Sequence, residues 1–245
     1  MKDMYDVILK RKSVRQYRDE LVFTESELDA IREQFSKLVP LDGSIRTCFE
    51  IVPVEETDAK FGKYCVNMYS EKKELYLMNA GYMLQQLDFY FASNNIGSCW
   101  YGMGTPKELE KDGLSFVIMM AFGKSLEEDF RHDLSEFKRR DEADIWHGEF
   151  DGDVKLAARL SPSAKNTQPW LFESSGGRII QYRDTQPQGA EPGSRTQTYF
   201  NQIDNGIVMC CLETGLSHKS MDFERKIINE KGDGRYWKMA EFTIK

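Results

Sequence analysis

The sequence has little of what many enzyme classes depend on. Its three histidines, His132, His147 and His218, lie far apart, and none has the i, i+4 partner that binds a metal on a helix face. No metal site is expected, and all three read as solvated surface. Five cysteines, Cys48, Cys65, Cys99, Cys210 and Cys211, form an odd set without a C-x-x-C pair, which excludes a disulfide framework and a zinc ribbon. Adjacent Cys210 and Cys211 sit in an apolar stretch, where free thiols pack as small hydrophobes. G-x-S-x-G, the P-loop and H-E-x-x-H are all missing, so nothing marks a hydrolase elbow, a nucleotide phosphate cradle or a zinc protease. No apolar run reaches the ~18 residues of a membrane span. The start, Met1 to Asp6, lacks a signal-peptide core, so a cytoplasmic protein without a membrane partner is expected. A basic excess is lacking too: the formal net charge is −7, which argues against nucleic acid as a partner.

What is present describes a soluble folded chain. At 245 residues with 40% apolar content, it is long enough for one large domain or two small ones. Thr24-Glu25-Ser26-Glu27 has the form of a capping box. Leu28, Ile31, Phe35 and Leu38 follow at helical spacing. After a break at Pro40 to Gly43, Phe49 to Val54 reads as a short strand whose proline favours an edge or an end. Glu71 to Asn95 is apolar nearly all round, which predicts a central helix. Phe116 to Phe122 suits a strand buried on both faces and ending at Gly123.

The second half replays this order. A helix near Asp153 to Leu160 leads to a proline-containing loop, then Trp170-Leu171-Phe172, a strand from Arg178 to Tyr182, an apolar helix over about 200–216, and a last strand from Trp237 to Ile244. Pro40 to Pro162 is 122 residues, Gly81 to Gly206 is 125, and Phe116 to Trp237 is 121. Such similar offsets lead to the expectation of an internal duplication, with halves at about 1–140 and 141–245 and the charged stretch Ser125 to Asp153 as the crossover.

Two segments carry chemistry. Arg11-Lys12-Ser13-Val14-Arg15 follows a short helical start, Tyr5 to Leu9, and gathers three cations around a hydroxyl, a group able to hold a phosphate; basic runs near a terminus are also commonly solvated surface. Ser161-Pro162-Ser163-Ala164-Lys165-Asn166-Thr167-Gln168-Pro169-Trp170 presents hydroxyls and amides between two prolines. Side chains of that kind on a stiff loop are suited to reading the polar edge of a planar heterocycle.

R-K-S-V-R and P-S-A-K-N-T-Q-P-W together resemble the signature segments of the FMN-dependent nitroreductase family. Asn95 to Gly102 resembles the family's segment after the central helix, and Ala121 to Lys124 with Phe137 to Arg140 adds agreement. Ordinary members place the P-S-x-x-N loop soon after the first motif. Here that place holds Pro40-Leu41-Asp42-Gly43-Ser44-Ile45-Arg46, and the motif lies in the second repeat. The pattern is similar to the branch in which two nitroreductase-like halves are fused in one chain.

The resemblance implies an α+β fold, a nitroreductase-like three-layer sandwich with a mixed, mainly antiparallel sheet flanked by helices. It implies an internally duplicated pseudo-dimer, monomeric or further paired as a homodimer, with one FMN in a cleft that both halves furnish. NADH or NADPH would supply the hydride, and a nitroaromatic or quinone would be the small-molecule electron acceptor in a ping-pong cycle. A flavin-binding storage or sensor protein of the same fold is the alternative. By resemblance, Arg11, Lys12 and Ser13 bind the phosphate or ribityl chain. Arg15 lies near the flavin ring and stabilises its reduced form, the flavin itself carrying the chemistry. Ser163, Ala164, Lys165, Asn166 and Gln168 reach the same flavin, while Pro169 and Trp170 are structural. Lys138 and Arg140 correspond to a second set of phosphate cations or to plain charged surface. Gly97, Ser98, Trp100 and Gly102 either approach the ring or form a tight turn.

Overall fold

The computed structural model describes residues 4–245 and divides the chain into two compact units. One is Lys10–Glu136. The other is Phe137–Lys245 together with the amino-terminal segment up to Leu9, which carries most of helix α1 (Tyr5–Lys10). In α1, Tyr5 stacks on His218 with ring centroids 4.1 Å apart. This half-buried contact removes His218 from the solvated surface expected of it, whereas His132 and His147 are exposed.

In the Lys10–Glu136 unit, α2 (Glu25–Phe35) starts at Thr24, whose hydroxyl accepts from Glu27 N while the Glu27 carboxylate accepts from Thr24 N. Both orphan donors of the first turn are thereby satisfied. The sheet is antiparallel, in the order β1 (Thr47–Pro53), β2 (Tyr64–Ser70), β5 (Leu114–Lys124), β3 (Ile96–Tyr101), with the two-residue β4 (Glu110–Lys111) also on β5. Pro53 ends the edge strand, where a missing N–H is tolerated. The central helix α3 (Tyr76–Ser93) buries residues on every side. It begins five residues later than the apolar pattern suggests, because Leu75 takes a left-handed conformation, φ 66°, at its N-cap. Gly97 to Tyr101 is strand, not a tight turn.

In the other unit, α4 (Glu142–Ile145) and the short β6 (Trp146–His147) precede α5 (Gly152–Arg159), which Asp151 caps by accepting from Asp153 N and Val154 N. The sheet order is β6, β7 (Trp170–Ser175), β8 (Arg178–Asp184), β10 (Tyr236–Ile244), β9 (Phe223–Glu230). Only the β6–β7 pair is parallel. Helix α6 (Asn201–His218) is buried almost throughout, Cys210 and Cys211 with it.

The topologies correspond element by element. Helix, strand, strand, long helix, strand, strand occurs in each unit, and the order β1-β2-β5-β3 matches β7-β8-β10-β9. The fold is mixed α+β, with helices and mainly antiparallel sheets.

Candidate functional site

The Arg11–Arg15 segment lies along the edge of β3. Ser13 forms a parallel bridge with Ser98, and Val14 N donates to Ser98 O at 2.9 Å. The edge accepts a second chain because two glycines, Gly97 on β3 and Gly123 on β5, face each other across the strands. A Cβ on Gly97 would meet Ser125 Oγ at 2.3 Å and Val14 Cβ at 2.8 Å; one on Gly123 would meet the Tyr17 ring at 2.4 Å. Tyr17 then closes the segment, its hydroxyl donating to Val14 O at 2.8 Å and lying 3.3 Å from Gly97 O. Burial pushes that phenol far above its ordinary pKa. The first motif and the Gly97–Gly102 segment are thus one structure.

Within this segment the cations are not alike. Arg11 is buried, with Nε 2.7 Å from Asp88 Oδ2 on α3. The same carboxylate accepts from Ser98 Oγ at 2.5 Å and from Gln85 Nε2 at 3.2 Å. Arg11 Nη2 reaches Ser13 Oγ at 3.5 Å. Arg131 closes the assembly from behind: its guanidinium donates to Arg11 O, and its N–H to Lys10 O at 2.9 Å. Burial, reinforced by Arg11, lowers the Arg131 pKa to about 10. Lys12 and Arg15 differ, for among the described residues neither has an ion pair or a side-chain hydrogen bond. Arg15 is exposed and leans on the Phe61 ring, 5.9 Å from its centroid, and Phe61 meets Tyr101 edge-on at 4.9 Å. Ser98 turns its hydroxyl to Asp88, Trp100 Nε1 is buried without a hydrogen-bond partner, and Gly102 lies in the turn after β3.

In the carboxyl-terminal unit the Ser161–Trp170 loop is held in an unusual shape. Lys165, Asn166 and Gln168 take φ of 51°, 57° and 46°, a left-handed region costly for residues with a Cβ. Its own side chains hold the shape. Ser163 Oγ accepts from Gln168 N at 2.9 Å. Asn166 Nδ2 donates to Lys138 O at 2.7 Å, and its Oδ1 accepts from Arg139 Nη1 at 2.7 Å. Gln168 Oε1 accepts from Arg140 N at 2.9 Å. Arg140 in turn reaches Gln168 O and Asp144 O at 3.5 and 2.9 Å. The Asn166 and Gln168 amides tie the loop to residues 138–140, and Arg140 is part of that tie. Ser163 and Ala164 are half-buried; the Lys165 and Lys138 side chains are exposed.

Two buried carboxylates beneath these segments belong to neither motif, Asp88 beneath Arg11 and Asp204 beneath this loop. Asp204 Oδ1 accepts from Ala164 N at 3.0 Å. Asn201 Nδ2 lies 2.9 Å from both Asp204 Oδ2 and Thr167 Oγ1. Burial raises the Asp204 pKa to about 7, against the opposing pull of these hydrogen bonds and of Arg183. Asp88 is the one charged residue of α3, and Asp204 shares the mostly apolar α6 with Glu213; a carboxylate at a buried helix position was the available signal.

Comparison with known proteins follows the same line. The profile of the family described as "Putative TM nitroreductase" matches residues 3–216. No curated protein matches. Among solved structures, a "putative nitroreductase" from Thermotoga maritima is similar at TM-score 0.64 and 15% identity, over 99% of this chain and 93% of that one. A "Putative NADH dehydrogenase/NAD(P)H nitroreductase" from Bacteroides thetaiotaomicron gives TM-score 0.45 and 15% identity, over 61% of this chain and 99% of the other.

Proposed function

The chain belongs to the Putative TM nitroreductase family, and from that premise we propose that it is an FMN-dependent oxidoreductase taking hydride from NADH or NADPH and reducing nitroaromatic or quinone-type acceptors. The observation that carries the reading is the docked Arg11–Arg15 segment, where Asp88 holds Arg11 while Lys12 and Arg15 make no ion pair among the described residues, Lys12 meeting only the longer-range pull of Asp129 and Glu136. A phosphorylated, polar-edged ring suits such residues: two cations await an anion, and the buried Trp100 Nε1 lacks an acceptor. Bound FMN supplies two-electron chemistry, which explains a site without an evident acid–base pair.

The roles follow from what each side chain is free to do. Lys12 and Ser13, with the Nη groups of Arg11, are assigned to the phosphate and ribityl chain. Arg15 is assigned to the ring edge, where a cation favours the negative charge that arrives with hydride. Asn166 and Gln168 shape their loop, so its contribution to the flavin is assigned to backbone groups of Ser163–Gln168 and to Lys165. Gly97 acts indirectly, by letting the motif segment dock on β3, while close approach of the ring is assigned to Gly102 and Lys138 is an accessory cation. A cytoplasmic location is part of the same proposal; among the described residues no helix is long and apolar enough to cross a membrane.

The test is retention of flavin. After FMN addition and desalting, the full chain should keep about one equivalent, from one complete set of motifs. Lys12→Gln, which removes the cation assigned to the phosphate, should weaken retention of FMN while riboflavin, without the phosphate, binds both proteins equally weakly. A wild-type chain that retains no flavin overturns the proposal.

A further inference from the structure

The duplication places one anchoring contact twice. In the Lys10–Glu136 unit the loop after Pro40 is held from α3, where Asn79 Oδ1 accepts from Leu41 N at 2.7 Å and from Asp42 N at 3.2 Å. In the other unit the loop after Pro162 is held from α6, where Asp204 Oδ1 accepts from Ala164 N. Asn79 and Asp204 are 125 residues apart, the same offset as Gly81 and Gly206 two positions on. They occupy equivalent places, filled by a neutral amide in one unit and a carboxyl group in the other.

Burial without an ion pair favours the neutral form of Asp204, against the two N–H donors, Ala164 N and Asn201 Nδ2, that favour the ionised one. Asp204 is 3% exposed and has no ion pair among the described residues. From its own helix it meets Asn201, and from the loop Ala164 N. The one charged group that acts on it is Arg183 of β8, whose guanidinium is engaged elsewhere, donating to Gln197 O at 2.8 Å and lying over Trp237 at 5.5 Å. An acid proton would find an acceptor, because Asn201 Oδ1 is buried without a partner. A half-turn of that amide, which gives up its bond to Thr167 Oγ1, puts it where Nδ2 stands, 2.9 Å from Asp204 Oδ2.

We propose that Asp204 is the positioning residue of the Ser163–Gln168 loop, seating it as the uncharged acid just as Asn79 seats its counterpart, so that ionisation of Asp204 unseats the loop. The raised pKa agrees with this: a seated loop buries the carboxyl group, an unseated one exposes it to water, and the proton therefore favours the seated form. Asp204 acts on ligands only through Ala164 and Thr167. Its link to cofactor affinity rests on the flavin reading above, but its protonation does not.

The test uses the full chain with Asp204→Asn and Asp204→Leu. Difference infrared spectra, wild type minus Asp204→Asn, should show a protonated carboxyl band at pH 6 that titrates away near pH 7; this needs no flavin. FMN affinity of wild type relative to Asp204→Asn should weaken about tenfold between pH 6 and pH 8.5, because the seated form loses about one power of ten between pH 6 and the pH near 7 at which its buried carboxyl group ionises. The ratio cancels ionisation of the FMN phosphate. Asp204→Leu, with no acceptor for Ala164 N, should bind FMN poorly at every pH. The proposal is overturned if the carboxyl band is missing at pH 6, or if Asp204→Asn keeps the wild-type profile. Absence of FMN binding by wild type with the band present sinks the flavin reading alone.

Discussion

Replacing Asp88 with leucine should be among the most damaging single changes in the Lys10–Glu136 unit. The carboxylate is buried and engages Arg11, Ser98 and Gln85 together. Leucine is close to it in size, so little cavity forms, and the cost is chiefly electrostatic: the Arg11 guanidinium, itself buried, is left without its counter-charge. Breaking one side of a buried pair typically costs about 3–5 kcal/mol. The stranded donors of Ser98 and Gln85 belong to the same network, so their cost overlaps with this rather than adding to it. Urea unfolding followed by tryptophan fluorescence would read the loss as a midpoint lowered by about 1 M or more, for a slope near 3 kcal/mol per molar. The companion variant Asp88→Leu, Arg11→Met removes both charges and should recover most of the loss, since apolar replacements of a buried pair are often neutral. The argument fails if the single change costs less than about 1 kcal/mol, or if the double variant is no better than the single.

Other consequences are more local. Gly97→Ala puts a methyl group against Ser125 Oγ and Val14, and should cost about 1–3 kcal/mol while lifting Ser13 off β3; thermal unfolding and loss of Ser13–Ser98 protection against exchange would show it. Arg15→Gln touches only an exposed cation stacked on Phe61, so stability should stay within about 0.5 kcal/mol while hydride transfer to bound flavin slows about tenfold or more in stopped flow. For pH, the raised Asp204 pKa means the folded chain holds a proton that the unfolded chain releases near pH 4, so this group makes stability fall as pH rises from about 4 to about 7. Denaturation midpoints across that range should fall more steeply for wild type than for Asp204→Asn.

Sequence pattern exposed those parts of the fold whose cause is local. The Thr24–Glu27 box starts α2 where expected, and the all-apolar stretches become α3, α6 and β5. β2 and β9 were not legible. β2 carries Asn67 and Ser70 at buried positions, which breaks the hydrophobic signal, and β9 is an edge strand with only partial burial. The two motifs were legible as residue types, but the division of labour inside them was not. That Arg11 serves Asp88, and that Asn166 and Gln168 hold residues 138–140, depends on contacts between residues far apart in the chain. Periodicity carries no information about such partners. The Asn79–Asp204 correspondence was within reach through the Gly81–Gly206 offset, but its meaning came only with the hydrogen bonds to Leu41, Asp42 and Ala164.

The central claim is that this chain reduces bound FMN with a nicotinamide, and anaerobic titration of the FMN-loaded protein with NADH and then NADPH tests it most directly. The account predicts that at least one nucleotide bleaches the flavin band near 450 nm with one equivalent per flavin, and that added quinone restores it. Flavin that stays oxidised with both nucleotides, yet is bleached by light and recovered by quinone, would contradict the oxidoreductase assignment and leave a flavin-binding protein.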